Sequence, residues 1–300
     1  MRVGVIGIGR WGKNLLSEFH MASALVACAN RSGSVDHAWV RRSFPRVEVR
    51  EGADSIILDK SLDAVAIATP ISTHAPLVRK ALEAGKHVFV EKPLSTHAAE
   101  AAELASLAEK KGLVLLVGHV FLYHPCFRKI AALVHGERIT GMRFSWKKLG
   151  TFDEDIVWNL ATHELALAIA LMGQPSGFVV HGREGVVSGC DFLSFSAEFP
   201  GGRRCAFELD RFSPEKRKTV LVRTARRELL WDGDAILSFE RGRAAFRTIF
   251  RAGRPALRSE VREFLRCIRS GARPVSDGQF GAGVVGAARM LAEAAGGRGR

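Results

Sequence analysis

The chain is poor in the features that mark secreted, metal-stapled or membrane-spanning proteins. Its five cysteines, Cys28, Cys126, Cys190, Cys205 and Cys267, are odd in number, far apart, and form no C-x-x-C pair. That excludes a disulfide framework and a structural zinc site, and leaves the cysteines as small buried hydrophobes. No metal is expected. No apolar run approaches the roughly 18–20 residues that a spanning helix needs. The best candidate, Leu113 to Tyr123, is interrupted by Gly118 and His119. The apolar stretch after Arg2 is short and runs at once into glycines, unlike a secretory signal, so the cytoplasm is the expected location. The 30 glycines and 10 prolines carry no period, which excludes collagen-like and low-complexity classes. Acidic side chains are in deficit, 31 against 44 basic, for a net charge of +13. Such a balance attracts anions of any kind and chooses none of them. What the chain does have is 47% hydrophobic residues over 300 positions, enough to build cores and to exclude intrinsic disorder. The length suggests about two domains.

The order of elements separates them. Residues 2–8, Leu25–Ala29, a short run near Val47, Ala64–Ala68, His87–Val90 and Leu113–Val117 read as strands. Between them lie helix candidates near 11–21, 36–44, 75–84 and 96–111. Strands alternating with helices of this length predict βαβ crossovers and a doubly wound parallel sheet over residues 1–120. Near-continuous Val/Ile/Leu strands agree, because both faces of a parallel sheet are covered. From 121 to 295 the pattern changes to α+β. Helices are expected near 125–134, 156–172, 257–270 and 278–294. Closely spaced strand runs from Met142 to Phe239, joined by turns such as Pro200-Gly201-Gly202, predict a mainly antiparallel open sheet. The tail 296–300 should fray. Arg254, Arg258, Arg262 and Arg266 repeat every fourth residue of one helix. They form either a solvated face or a row turned toward an anion.

Gly7-Ile8-Gly9-Arg10-Trp11-Gly12 follows the first strand and opens a helix. In that context the three glycines serve the tight turn, backbone approach to a pyrophosphate, and close helix–strand packing. The pyrophosphate would rest on free N–H groups at the positive end of the helix dipole. At the end of the second strand, where NAD-binding folds usually carry a carboxylate for the ribose hydroxyls, stand Asn30, Arg31 and Ser32. A carboxylate repels a 2′-phosphate, whereas Arg31 with Ser32 attracts one. NADP(H) is therefore favoured over NAD(H).

Glu91-Lys92-Pro93 ends the His87–Val90 strand, on the carboxyl edge where open α/β sheets bind ligands. A lysine there can donate or accept the proton that accompanies hydride transfer. Thr69-Pro70 ends the preceding strand, and His74 follows on the same rim. Farther on, Asn159 and His163 are four apart and share one face if helical. Imidazole is suited to proton shuttling near neutrality. The His119/His124 pair and Glu164 form no compact metal-ligand set.

With VGVIGIGRWGKN (3–14), ATPISTHAPLVRKALEAGKHVFVEKPLS (68–95), VGHVFLYHP (117–125), DIVWNLATHELALAIALMG (155–173) and FLRCIRSGARPVSDG (264–278), the chain resembles the Gfo/Idh/MocA oxidoreductases over nearly its whole length. The resemblance implies a Rossmann domain and a C-terminal α/β domain for substrate binding and oligomerisation, with a homodimer or homotetramer formed through its sheet. It implies Lys92 as the active-site lysine, and Asn159 and His163 in place of the helical D-x-x-x-H pair. Lys92, His163 and Asn159 are then the catalytic candidates, and His119 and Tyr123 join them toward the substrate. The cofactor set comprises Gly7, Gly9, Arg10, Trp11, Gly12, Asn30, Arg31, Ser32, Thr69, Pro70, His74, Glu91 and Lys92. The motifs look most like the branch acting on nucleotide-linked sugars and amino sugars. Two departures stand out. Asn159 replaces an aspartate and cannot carry charge or act as a base, and Ile71 replaces an asparagine after Thr-Pro. The expected activity is hydride transfer between NADP(H) and a sugar carbinol or ketone. An imine or biliverdin-like substrate on the same scaffold, and a non-catalytic NADP(H) sensor, are the alternatives. No helix-turn-helix or RNA-binding signature accompanies the basic charge, so no nucleic-acid partner is expected.

Overall fold

The computed structural model describes residues 1–30, 36–150, 155–240, 247–253 and 255–296. The first elements are β1 (Val3–Ile6), α1 (Arg10–Met21), β2 (Leu25–Asn30), α2 (Asp36–Ser43), β3 (Glu48–Glu51), α3 (Asp54–Ile57), β4 (Ala64–Ile67) and α4 (His74–Glu83). They are followed by β5 (His87–Glu91), α5 (Ala98–Lys110), β6 (Leu115–Gly118) and α6 (Pro125–Leu133). Next come β7 (Ile139–Lys147), α7 (Thr162–Met172), β8 (Gly177–Glu184), β9 (Phe192–Phe199), β10 (Arg203–Asp210) and β11 (Arg217–Thr224). The chain closes with β12 (Arg227–Asp232), β13 (Ala235–Glu240), β14 (Arg247–Arg251), α8 (Ala256–Ser270) and α9 (Gly278–Ala294).

Contacts divide the chain into two units. The first is Met1–Val120 with Leu257–Val285; the second is Phe121–Ala256 with the chain from Gly286. The change of unit at 120 coincides with the sequence division. Residues 257–285 do not follow it: expected in the C-terminal domain, they pack in the first unit. Aromatic packing is the reason. Phe264 of α8, fully buried, meets Phe19 of α1 and Phe89 of β5 edge-on, with ring centres 6.2 and 5.8 Å away. Arg258 of α8 also pairs with Glu18 at 3.1 Å, and Arg266 pairs with Glu263, so part of the arginine row is paired rather than turned to a ligand. Arg254 lies outside the described residues. The start of α9 approaches β6 closely. A Cβ on Gly281 would lie 2.5 Å from Val117 Cγ2, so only glycine fits there.

In the first unit six strands run parallel in the order β3-β2-β1-β4-β5-β6. β1 and β4 are buried at every residue, as covered faces require. The order reverses between β1 and β4, and a ligand crevice forms outside the carboxyl ends of strands at such a point.

In the second unit eight strands follow the order β14-β13-β12-β11-β7-β10-β9-β8. The pairings are antiparallel except β7 with β10. Along β9, Leu193, Phe195, Ala197 and Phe199 are buried and their neighbours are not, so one sheet face packs inward. Phe144, Phe207 and Phe195, opposite one another on β7, β10 and β9, stack at 4.7 and 4.5 Å and tie these strands together. The sequence reading missed α3 and β14, both short. It also made one helix of 156–172, where residues 157–161 form a π-helical turn before α7. The five cysteines are buried and their thiols free.

Candidate active site

In the first unit the glycine-rich turn is shaped by close approach. Gly7 adopts φ +93°, and a Cβ there would lie 2.6 Å from the Ala68 carbonyl oxygen of the β4 end. A Cβ on Gly12 would overlap the Gly7 carbonyl oxygen. Gly9 differs: nothing lies within 4 Å of its missing Cβ, so the backbone faces open space there. Gly9 caps α1 without any side-chain hydrogen bond, and the first turn holds no acidic residue. The leading N–H groups of α1 are thus left to a ligand, with the dipole favouring an anion. A cleft of about 590 Å³ opens over this turn, lined by Gly7, Gly9, Arg10, Trp11, Asn30, Thr69 and Pro70 among others. These seven sequence candidates come together in one place. Gly52 and Ala53 after β3 line it too, which sequence reasoning missed; the positive φ of Gly52, +71°, is the local signal. Arg31 and Ser32 lie outside the described residues. The cradle fits a dinucleotide: an uncapped helix start, a backbone that a Cβ would obstruct, and a cleft at the switch point.

Beside this cleft the Trp11 indole N–H donates to Glu91 Oε1. Glu91 is buried at the end of β5, opposite Gly118 of β6, whose missing Cβ would lie 3.1 Å from the carboxylate. Burial pushes the Glu91 carboxyl up to about 7, against the opposing pull of the Trp11 N–H and the Lys92 charge. Lys92 is half-buried at the next position, and its bond to Pro93 is cis. His74 braces this turn. Its Nδ1 lies 2.8 Å from the Pro93 carbonyl oxygen and its Nε2 2.9 Å from that of Thr69. Expected among the cofactor ligands, its ring lies between two backbone carbonyls and, when neutral, donates its single N–H to one of them. His119 is fully buried against Phe280, and neither ring nitrogen has a hydrogen-bond partner. Burial, helped by the Lys92 charge, pushes its imidazole down to about 3, so it is neutral.

The second unit holds Asn159 and His163. Asp155 accepts from the Val157 N–H through its side chain and from the Asn159 N–H through its carbonyl oxygen, which starts the π-helical turn carrying Asn159. π-turns are rare and concentrate at functional sites. His163 follows in the first turn of α7, half-buried, with its ring 5.0 Å from Phe121 and 5.4 Å from Trp146. His124 stacks on Trp231 at 4.7 Å, and Phe121 touches Trp231. Tyr123, expected toward the substrate, has no exposed surface and carries the Arg128 guanidinium over its ring; Phe121 and His124 on either side are the half-buried ones. Sequence reading also missed Lys218. It lies on β11, 2.7 Å from the buried Glu164. Burial pushes the Glu164 carboxyl up and the Lys218 ammonium down, and each partner opposes the other's shift. Among the described residues no group of His, Cys, Asp or Glu is placed to hold a metal ion, and no helix is long and apolar enough to cross a membrane.

Residues 1–119 match the Gfo/Idh/MocA oxidoreductase family, with its NAD-binding Rossmann fold. The chain is 26% identical to UDP-N-acetylglucosamine 3-dehydrogenase of Acidithiobacillus ferrooxidans over 308 residues, covering 97% of this chain and 96% of that protein. It is 41% identical over 144 residues to dTDP-3,4-didehydro-2,6-dideoxy-alpha-D-glucose 3-reductase of Streptomyces violaceoruber; that match spans 48% of this chain and 42% of the reductase. A solved structure of the Acidithiobacillus dehydrogenase superposes with a TM-score of 0.91 at 25% identity, covering 98% of this chain and 97% of that one. With that architecture, an NAD-type cradle at the switch point and a lysine on its rim, the chain is an oxidoreductase whose first 119 residues match the Gfo/Idh/MocA family.

Proposed function

We propose that the chain transfers hydride between NADP(H) and a ring carbon of a nucleotide-linked sugar, interconverting a carbinol and a ketone. The observation that carries this reading is the end-to-end likeness to UDP-N-acetylglucosamine 3-dehydrogenase, which spans both units in sequence and in fold. When bound, the nicotinamide supplies or takes the hydride. Lys92 exchanges the proton of the substrate oxygen, and its charge stabilises an alkoxide as it develops. His163 is the second proton-handling group. Asn159, carrying no charge, orients the substrate by hydrogen bonds alone. The aromatic wall of Phe121, Trp146 and Trp231 suits the C–H face of a sugar or the face of a nucleobase. His119 offers a neutral hydrogen bond beside Lys92. The preference for NADP(H) rests on Asn30-Arg31-Ser32, where no carboxylate opposes a 2′-phosphate. The outward face of the eight-stranded sheet, with Arg204 and Ala206 exposed on β10, is the surface for a second copy of the chain.

The test is turnover of UDP-N-acetylglucosamine and of a dTDP-linked keto sugar with each cofactor, in the wild type and in Arg31→Asp. Oxidation or reduction of either sugar is expected, with NADP(H) preferred and the preference reversed in the variant. No turnover of any nucleotide sugar rejects the substrate class. Tighter binding of NAD(H) by the wild type rejects the cofactor assignment alone.

A further inference from the structure

Glu164 has no exposed surface, and Lys218 meets it at 2.7 Å from β11. A buried ion pair is a costly way to fill space. Both charges lose their hydration, and an apolar pair of similar volume often serves stability as well or better. Its surroundings suggest another purpose. The Lys218 ammonium lies 3.4 Å from the centre of the Phe121 ring and 4.1 Å from that of Trp146. The His163 imidazole packs on the same two rings, nearly perpendicular to Phe121 at 76° and tilted by 54° to Trp146. Cation and imidazole therefore share both walls, and Glu164 is the next residue in the chain after His163.

The backbone gives the pair a role. Residues 157–161 form a π-helical turn, and α7 begins at the next residue. A π-turn takes up an extra residue, so it changes which way every following side chain of the helix points. The orientation of His163 relative to Asn159 depends on that turn keeping its register. Tying Glu164 to β11 pins the first turn of α7 directly after it. The imidazole packs on the same two rings that the Lys218 ammonium meets.

We propose that Lys218 is a positioning residue for His163: through Glu164 and the shared faces of Phe121 and Trp146, it holds the imidazole at the angle from which it exchanges a proton with the substrate oxygen. The inference rests on the reading of His163 as a proton-handling group. Lys218 itself touches no reacting atom. In the sequence it lies in Pro214-Glu215-Lys216-Arg217-Lys218, where Glu215, Lys216 and Arg217 are exposed and only Lys218 turns inward.

The experiment compares Lys218→Met, Glu164→Leu and the two combined, each by thermal melting, by steady-state rates on a nucleotide sugar, and by the NMR signals of the His163 ring. The ring signals are assigned by their loss in His163→Asn, and neighbouring aromatic faces shift them strongly. Each single variant leaves a buried charge unpaired and melts well below the wild type. The apolar pair recovers most of the melting temperature. Yet its kcat stays down by roughly 10- to 100-fold with little change in KM, the cost of a misplaced catalytic group. Its His163 signals also move toward those of an unstacked imidazole. If activity returns with the melting temperature and the His163 signals keep their wild-type positions, the pair only fills space and the proposal fails. If the wild type turns over no nucleotide sugar, the substrate reading falls separately and the His163 signals decide this one. Should the apolar pair not fold, Glu164→Gln takes its place. There an unmoved His163 ring with an unchanged kcat overturns the proposal, and a displaced ring with a lowered kcat supports it.

Discussion

Lowering the pH should weaken the fold through His119, and replacing that residue should remove the effect. The imidazole is fully buried with no partner on either ring nitrogen, and burial together with the Lys92 charge depresses it from 6.5 to about 3. A depressed basic group contributes stability that is present above its unfolded value and lost as the pH falls from 6.5 through 3. At about 1.4 kcal/mol per unit, the full loss is about 5 kcal/mol. At pH 5 the unfolded chain already binds the proton while the folded chain refuses it, which costs about 2 kcal/mol. Glu91 titrates in the same region with the opposite sign. Its raised carboxyl contributes stability below 4.5 that is lost as the pH rises through 7. That contribution is common to wild type and variant, and it cancels when they are compared. The assay is urea unfolding of wild type and His119→Gln at pH 8 and at pH 5. The variant carries its own cost for a buried amide, but that cost does not depend on pH. Its deficit relative to wild type should therefore shrink by about 2 kcal/mol between pH 8 and pH 5. A deficit equal at the two pH values would refute the argument, and with it the picture of His119 as a neutral, unpartnered ring.

Gly9→Ala and Gly12→Ala should fail in different ways. Gly9 has open space where its Cβ would go, so alanine should leave the melting temperature nearly unchanged while weakening dinucleotide binding by roughly tenfold, about 1.4 kcal/mol, in a titration. At Gly12 the Cβ meets the Gly7 carbonyl, and alanine should cost about 1–3 kcal/mol or more in unfolding experiments. Lys92→Ala should lower kcat by roughly 10²–10⁴-fold with cofactor affinity intact; affinity lost with kcat retained would make Lys92 a cofactor ligand only. Phe264→Ala should destabilise by about 3–5 kcal/mol by removing the ring that joins α8 to Phe19 and Phe89, measured by denaturant unfolding.

The features legible in the sequence were those that a few neighbouring residues decide. Gly7, Gly9 and Gly12 announce a tight turn and an uncapped helix because the motif spans six positions and Gly12 must clear the Gly7 carbonyl within it, although the room Gly7 needs beside Ala68 is set by β4. β1 and β4 are apolar at nearly every residue because a parallel sheet is covered on both faces. Glu91 and Lys92 could be placed on the ligand-binding rim because they end a strand whose direction the βαβ order dictates. The tertiary structure decided what depends on partners far along the chain. Lys218 looks like one more residue of a charged surface run until β11 pairs with β7 and carries it onto Glu164. His74 looks like a ligand until the turn at Pro93 folds back and occupies its ring. The helix at 257–270 reads as the end of the second domain, since no local pattern records that Phe264 will meet two phenylalanines of the first. Nor does any local pattern record the π-turn at 157–161, because its hydrogen bonds differ from those of an α-helix by a single residue of register.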